Sequence, residues 1–147
     1  MRPQSIVNFE RVVLLNILLG IANTWLSWDK VIAMAQAQAA AQGGTMKIGS
    51  GFLIGTQVFV IAITLLLLWL ISRKGSPIAK WIYVVFAVIG LIFAVIGIGK
   101  SAALGTVPLV LAMIGHLLTL ISLWLLFRPD SKAWFSEGRT VDPNDLR

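Results

Sequence analysis

His116 is the only histidine in this 147-residue chain, and it lies inside an uncharged stretch of about 27 residues, Ser101 to Phe127. A neutral imidazole at membrane depth offers one hydrogen-bond donor and one acceptor, so it can relay a proton, ligate a haem or chlorophyll, or tie helices together. Three amides, Asn16, Asn23 and Gln57, interrupt other apolar stretches. At 1.5 Å per residue, His116 lies roughly 16 to 18 Å from the Phe127 end of its helix, near mid-bilayer, with Asn16 at a similar level. Asn23 and Gln57 come out about 20 Å from the same side. The four residues therefore form a candidate intramembrane polar network. As a path it would carry protons or a solute; as glue it would hold helices by hydrogen bonds, the reading preferred because no carboxylate lies deep.

Other chemistries fail on inventory. The chain has no cysteine, which excludes disulfides, thiol nucleophiles, iron–sulfur clusters and thiolate zinc sites. One histidine and six acidic residues leave no Ser-His-Asp set, no HExxH motif and no Walker loop. No enzymatic activity, cofactor or metal is expected. Glu10 stands beside Arg11 at a helix start and reads as positional. Small multidrug transporters also have four short helices, but they depend on a glutamate buried in the first, and here no acidic residue lies between Arg11 and Asp29. The net charge of +6 does not gather into a basic stripe with a nucleic-acid motif, so no nucleic-acid partner is expected.

The elements that position these side chains follow from hydropathy. The chain is 58% apolar and 12% charged, about half the charge of an average soluble domain. Its uncharged intervals are about 17 residues (Val12 to Trp28), 25 (48 to 72), 19 (Trp81 to Gly99) and 27 (Ser101 to Phe127), against about 20 needed to span a bilayer. The expected fold is all-α, an integral membrane four-helix bundle forming one domain over 1–147. Its helices are placed at about 8–28, 51–71, 81–99 and 104–127, with a tail over 128–147. Asn16, Asn23, Thr24 and Ser27 make the first stretch too polar for a signal peptide, so it is read as an anchor.

One set of alternating loops holds Arg2, Arg11, Arg73, Lys74, Lys80, Arg128, Lys132, Arg139 and Arg147; the other holds Lys30, Lys47 and Lys100. Basic flanks stay in the cytoplasm, which predicts both termini inside. Trp25, Trp28, Phe52, Trp69, Trp81, Tyr83, Trp124 and Phe127 mark the interfaces. Asp29 can cap a helix over Val31 to Gln42, ended by Gly43-Gly44, giving a short periplasmic helical loop that reads as a spacer. Gly75 and Pro77 make the turn between the second and third helices. Arg73, Lys74, Lys80 and Arg128 are expected to contact anionic lipid head groups. Pro129 breaks the fourth helix, and Trp134-Phe135 suit an interfacial C-terminal segment, with a loosely ordered chain beyond Gly138.

Helices in lipid associate through small residues. Phe86-Ala87-Val88-Ile89-Gly90 recurs as Phe93-Ala94-Val95-Ile96-Gly97, which stacks Ala87, Gly90, Ala94 and Gly97 as a packing face. Gly51 and Gly55 form a GxxxG pair, and Ala112, Gly115, Thr119 and Ser122 share a side of the fourth helix.

Three groups of residues look like an uncharacterised family of small four-helix proteobacterial inner-membrane proteins. They are Met1-Arg2-Pro3-Gln4-Ser5-Ile6 with Phe9-Glu10, Arg73-Lys74-Gly75-Ser76 with Ala79-Lys80-Trp81, and Leu126-Phe127-Arg128-Pro129-Asp130 with Ala133-Trp134-Phe135. The resemblance spans nearly the whole chain and implies a shared topology and cytoplasmic surface, with no known activity. Small-residue faces and a sparse polar core point to a non-enzymatic accessory or scaffolding subunit of a membrane complex or homo-oligomer, in contact with membrane lipids. The alternative is a small channel or transporter with a polar path around His116.

Overall fold

The computed structural model describes residues 2–41 and 49–137. Among them are six helices and no strand: α1 (Gln4–Leu26), α2 (Trp28–Ala41), α3 (Ser50–Lys74), α4 (Pro77–Ala103), α5 (Thr106–Leu126) and α6 (Pro129–Glu137). Helices α1, α3, α4 and α5 are long and apolar enough to cross a membrane, as in a multi-pass membrane protein. Their outer surfaces leave Leu18, Trp25, Phe59, Phe93, Val95 and Ile96 uncovered, a surface that lipid solvates and water does not.

α3, α4 and the start of α1 extend past the apolar runs that announce them, whereas α5 and the end of α1 stop a residue or two short. α4 begins at Pro77 and reaches Ala103, where hydropathy places it at 81–99. α1 begins at Gln4 and ends at Leu26. Backbone hydrogen bonding continues through polar flanking residues, which hydropathy does not register. Ser27 breaks α1 from α2 for one residue only: its amide reaches Asn23 O at 3.1 Å, and Val31 N already bonds Ser27 O at 2.9 Å. Asp29 lies in the first turn of α2, where a carboxylate complements the helix dipole. The expected stop at Gly43-Gly44, Lys47, and the tail beyond Glu137 with Arg139 and Arg147 fall outside the described residues.

α1 lies against α5 and α3, and α4 also lies against α5 and α3, so the contacts among the four long helices close into a ring. The buried core is at one end of this ring. It joins Ile6 and Phe9 of α1, Ile71 of α3, Tyr83 of α4, Leu126 of α5 and Phe135 of α6. No residue of α3 before Leu67, and none described in α4 after Tyr83, is fully buried. The helices therefore pack tightly at the α3–α4 turn and loosen away from it. That turn is Gly75-Ser76, with Gly75 in the left-handed region at φ 58°, a conformation that a Cβ disfavours.

Candidate functional site

The four polar residues singled out by the sequence fall into two places. Asn16, Asn23 and His116 line one cavity of about 270 Å³ between α1 and α5. Gln57 does not line it; its Oε1 accepts a hydrogen bond from Thr24 Oγ1 at 3.3 Å, joining α3 to α1. Asn16 Nδ2 donates to Thr119 Oγ1 at 3.0 Å, and Thr119 Oγ1 donates to Gly115 O at 3.0 Å. The approach at Gly115 is close: a Cβ on it would come within 3.1 Å of Asn16 Oδ1, so Asn16 would have to shift by a few tenths of an ångström. Asn23 Oδ1 is buried without a hydrogen-bond partner. His116 is half-buried.

Thr119 and Tyr83, which the sequence places on a small-residue packing side and in the aromatic belt, carry hydrogen bonds that neither role implies. The Tyr83 hydroxyl and Ser122 Oγ are 2.7 Å apart and buried, and Ser122 Oγ also donates to Thr119 O at 2.7 Å. The single Ser122 hydrogen is thus engaged, so Tyr83 must be the donor of their bond. Tyr83 lies two residues from an interfacial tryptophan, Trp81, which in the sequence reads as one aromatic belt. Its ring instead meets Phe9 edge-on, with centroids 5.2 Å apart.

At the tight end, the three motif groups of the sequence converge. Ser5 Oγ and Ser131 Oγ are 2.7 Å apart and buried, and Ser131 Oγ donates onward to Leu125 O at 2.7 Å. The first amides of a helix lack intrahelical partners, and the N-cap of α1, Pro3, offers no side-chain bond. Asp130 of α6 supplies one: its Oδ2 accepts from Ser5 N at 3.3 Å. Hydrogen bonding from Ser5 foremost, then its own amide and Arg128, whose Nε is 3.6 Å from Oδ1, hold the Asp130 carboxyl below its ordinary range against partial desolvation. Trp134 Nε1 donates to Ile71 O at 3.0 Å, closing the end of α3.

The four cations expected at lipid head groups separate. Arg73, Lys74 and Arg128 are exposed. Lys80 is only 8% exposed; its Nζ is 4.5 Å from the Phe127 ring centre, 4.8 Å from Phe135 and 6.0 Å from Trp81, an enclosure of aromatic faces that suits an ammonium. Phe135 is correspondingly buried in the core.

The expected small-residue face of α4 is divided. Ala87 packs beside the core and Ala94 is half-buried, whereas Gly90 is exposed. A Cβ added at Gly90 or Gly97 would meet nothing within 4 Å, and the same is true at Gly51 and Gly55. Among the described residues, no group of three His, Cys, Asp or Glu side chains could hold a metal ion. Comparison with protein-family models, with curated proteins and with solved structures finds no match.

Proposed function

We propose that this chain is a non-enzymatic accessory or scaffolding subunit of a membrane complex, folded as a four-helix bundle in a bacterial inner membrane with both ends in the cytoplasm. The observation that carries the reading is the open space around Gly51, Gly55 and Gly90. Small residues let helix backbones approach closely, and at these positions no helix among the described residues does so. The faces are thus available to helices of another chain. Nine cations against three support this orientation, and the resemblance to small proteobacterial inner-membrane proteins belongs to the same reading. Crosslinking in native membranes, followed by purification in mild detergent, tests it: a defined partner or a second copy is expected, and a lone monomer overturns it.

A second reading, a small channel or transporter, is favoured by one observation, the cavity that Asn16, Asn23 and His116 share. Polar groups around such a space can carry water and protons. Flux measured in liposomes, compared with His116→Ala, decides between the two. Flux equal to that of empty liposomes removes the transport reading.

A further inference from the structure

A second cavity, of about 400 Å³, lies inside the ring of long helices, and all four contribute to its wall. Leu67 and Tyr83, both part of the buried core, also line it. Phe59 and Val60 of α3 and Phe86 of α4 line it too, and these are 64%, 55% and 56% exposed. The cavity therefore reaches the protein surface between α3 and α4, where the two helices have separated from their shared turn. Counting 1.5 Å per residue from that turn, Tyr83 stands about 9 Å and Phe59 about 22 Å along the helices. A hydrocarbon core is about 30 Å thick, so this opening faces acyl chains.

The polar part of the wall has a definite hydrogen-bonding sense. The Thr64 hydroxyl donates to Val60 O at 2.8 Å, the Thr119 hydroxyl to Gly115 O at 3.0 Å, and the Tyr83 hydroxyl to Ser122 Oγ at 2.7 Å, for the reason given above. Each hydroxyl hydrogen on the wall is engaged within the protein. Tyr83 and Thr64 are left with oxygen lone pairs, and one amide hydrogen of Asn16 is unassigned. No Asp, Glu, Lys, Arg or His lines the cavity, so a charged group would enter without a counter-charge, at high cost in hydrocarbon.

We propose that this cavity binds a neutral lipid whose apolar chain carries a hydroxyl group, entering sideways from the bilayer between α3 and α4. Phe59, Val60 and Phe86 receive the chain, and the oxygens of Tyr83 and Thr64 accept the hydroxyl hydrogen. The volume lies in the range of roughly 300 to 1,000 Å³ that small-molecule sites occupy. The opening borders the glycine faces, because Phe59 lies four residues from Gly55 and Phe86 four residues from Gly90.

The test uses the purified chain in nanodiscs with a photoreactive long-chain alcohol as probe, its attachment mapped by peptide mass spectrometry. Labelling is expected on α3 and α4 peptides near Phe59 and Phe86. Hexadecanol should compete about tenfold better than its methyl ether, which has the same chain without the donor. That preference should fall to near parity in Tyr83→Phe/Thr64→Val, and labelling should drop in Val60→Trp. Because Val60 is exposed, the larger side chain narrows the mouth without entering the core. Equal competition by alcohol and ether overturns the proposal, as does labelling that Val60→Trp leaves unchanged. Labelling spread evenly over all four helices also overturns it, because that is the pattern of general lipid contact.

Discussion

The serine pair at the tight end shows how the direction of a hydrogen bond sets the cost of losing it. Ser131 Oγ donates to Leu125 O, so Ser5 Oγ must donate to Ser131. Ser131→Ala strands both a buried hydroxyl and a buried carbonyl, and should lower stability in detergent by about 2 to 3 kcal/mol. Ser5→Ala leaves only one acceptor lone pair without its partner and should cost about 1 kcal/mol; thermal unfolding of the two variants checks the order. Asp130 gives a pH dependence whose sign is fixed. Its folded pKa is depressed, so its contribution is present above the unfolded value and lost as pH falls through the folded one. Hydrogen exchange in α6 should therefore rise on acidification below the ordinary carboxylate range, and Asp130→Asn should abolish that rise. None of this pairing was legible in the sequence, because Ser5 and Asp130 are 125 residues apart and a serine announces no partner. Asn16, by contrast, was legible as a polar residue in an apolar run. Its partner Thr119 was not, since a threonine that bonds its own helix passes as unremarkable in lipid.

Among the elements, the four long helices were readable because hydropathy and bilayer thickness constrain them directly. The role of α6 was not readable. Pro129 and an aromatic pair suggest an interfacial segment, and the structure adds what they do not announce: Phe135 enters the core and Trp134 bonds Ile71 O. A nine-residue amphipathic segment has the same composition whether its apolar face meets lipid or protein. The point where α6 meets the α3–α4 turn is Gly75, at φ 58°, where a Cβ would come within 3.1 Å of Trp134 O and 3.3 Å of Trp134 Nε1. Gly75→Ala combines left-handed strain with this contact and should destabilise by about 1 to 3 kcal/mol. Exchange in α6 should rise with it, whereas an alanine at Gly55, where there is open space, should leave α6 unchanged.

For the whole molecule, the outward glycines separate folding from association. Gly55→Leu and Gly90→Leu place large side chains where the isolated chain has room, and both positions gain helix propensity of about 1 kcal/mol. Melting temperature should hold or rise, while crosslinking to a partner or second copy is lost; unchanged crosslinking would assign the glycines to lipid contact. The expected face of Ala87, Gly90, Ala94 and Gly97 was legible as a repeat, but the split between inward alanines and an outward Gly90 depends on how α4 is rotated in the ring, which periodicity alone does not set.

The cap that Asp130 places on α1 also has a meaning in time. A ribosome adding roughly 5 to 20 residues per second makes Ser5 some 6 to 25 seconds before Asp130. Until then the start of α1 has no side-chain cap, Ile71 O has no indole donor, and Lys80 lacks the Phe127 and Phe135 rings. A chain interrupted before α6 thus lacks the hydrogen bonds and the Phe135 ring that α6 adds at the ends of α1, α3 and α5. Arrival of the α6 segment adds these contacts to long helices that already meet one another, so this end of the ring is the last part of the described fold to be completed.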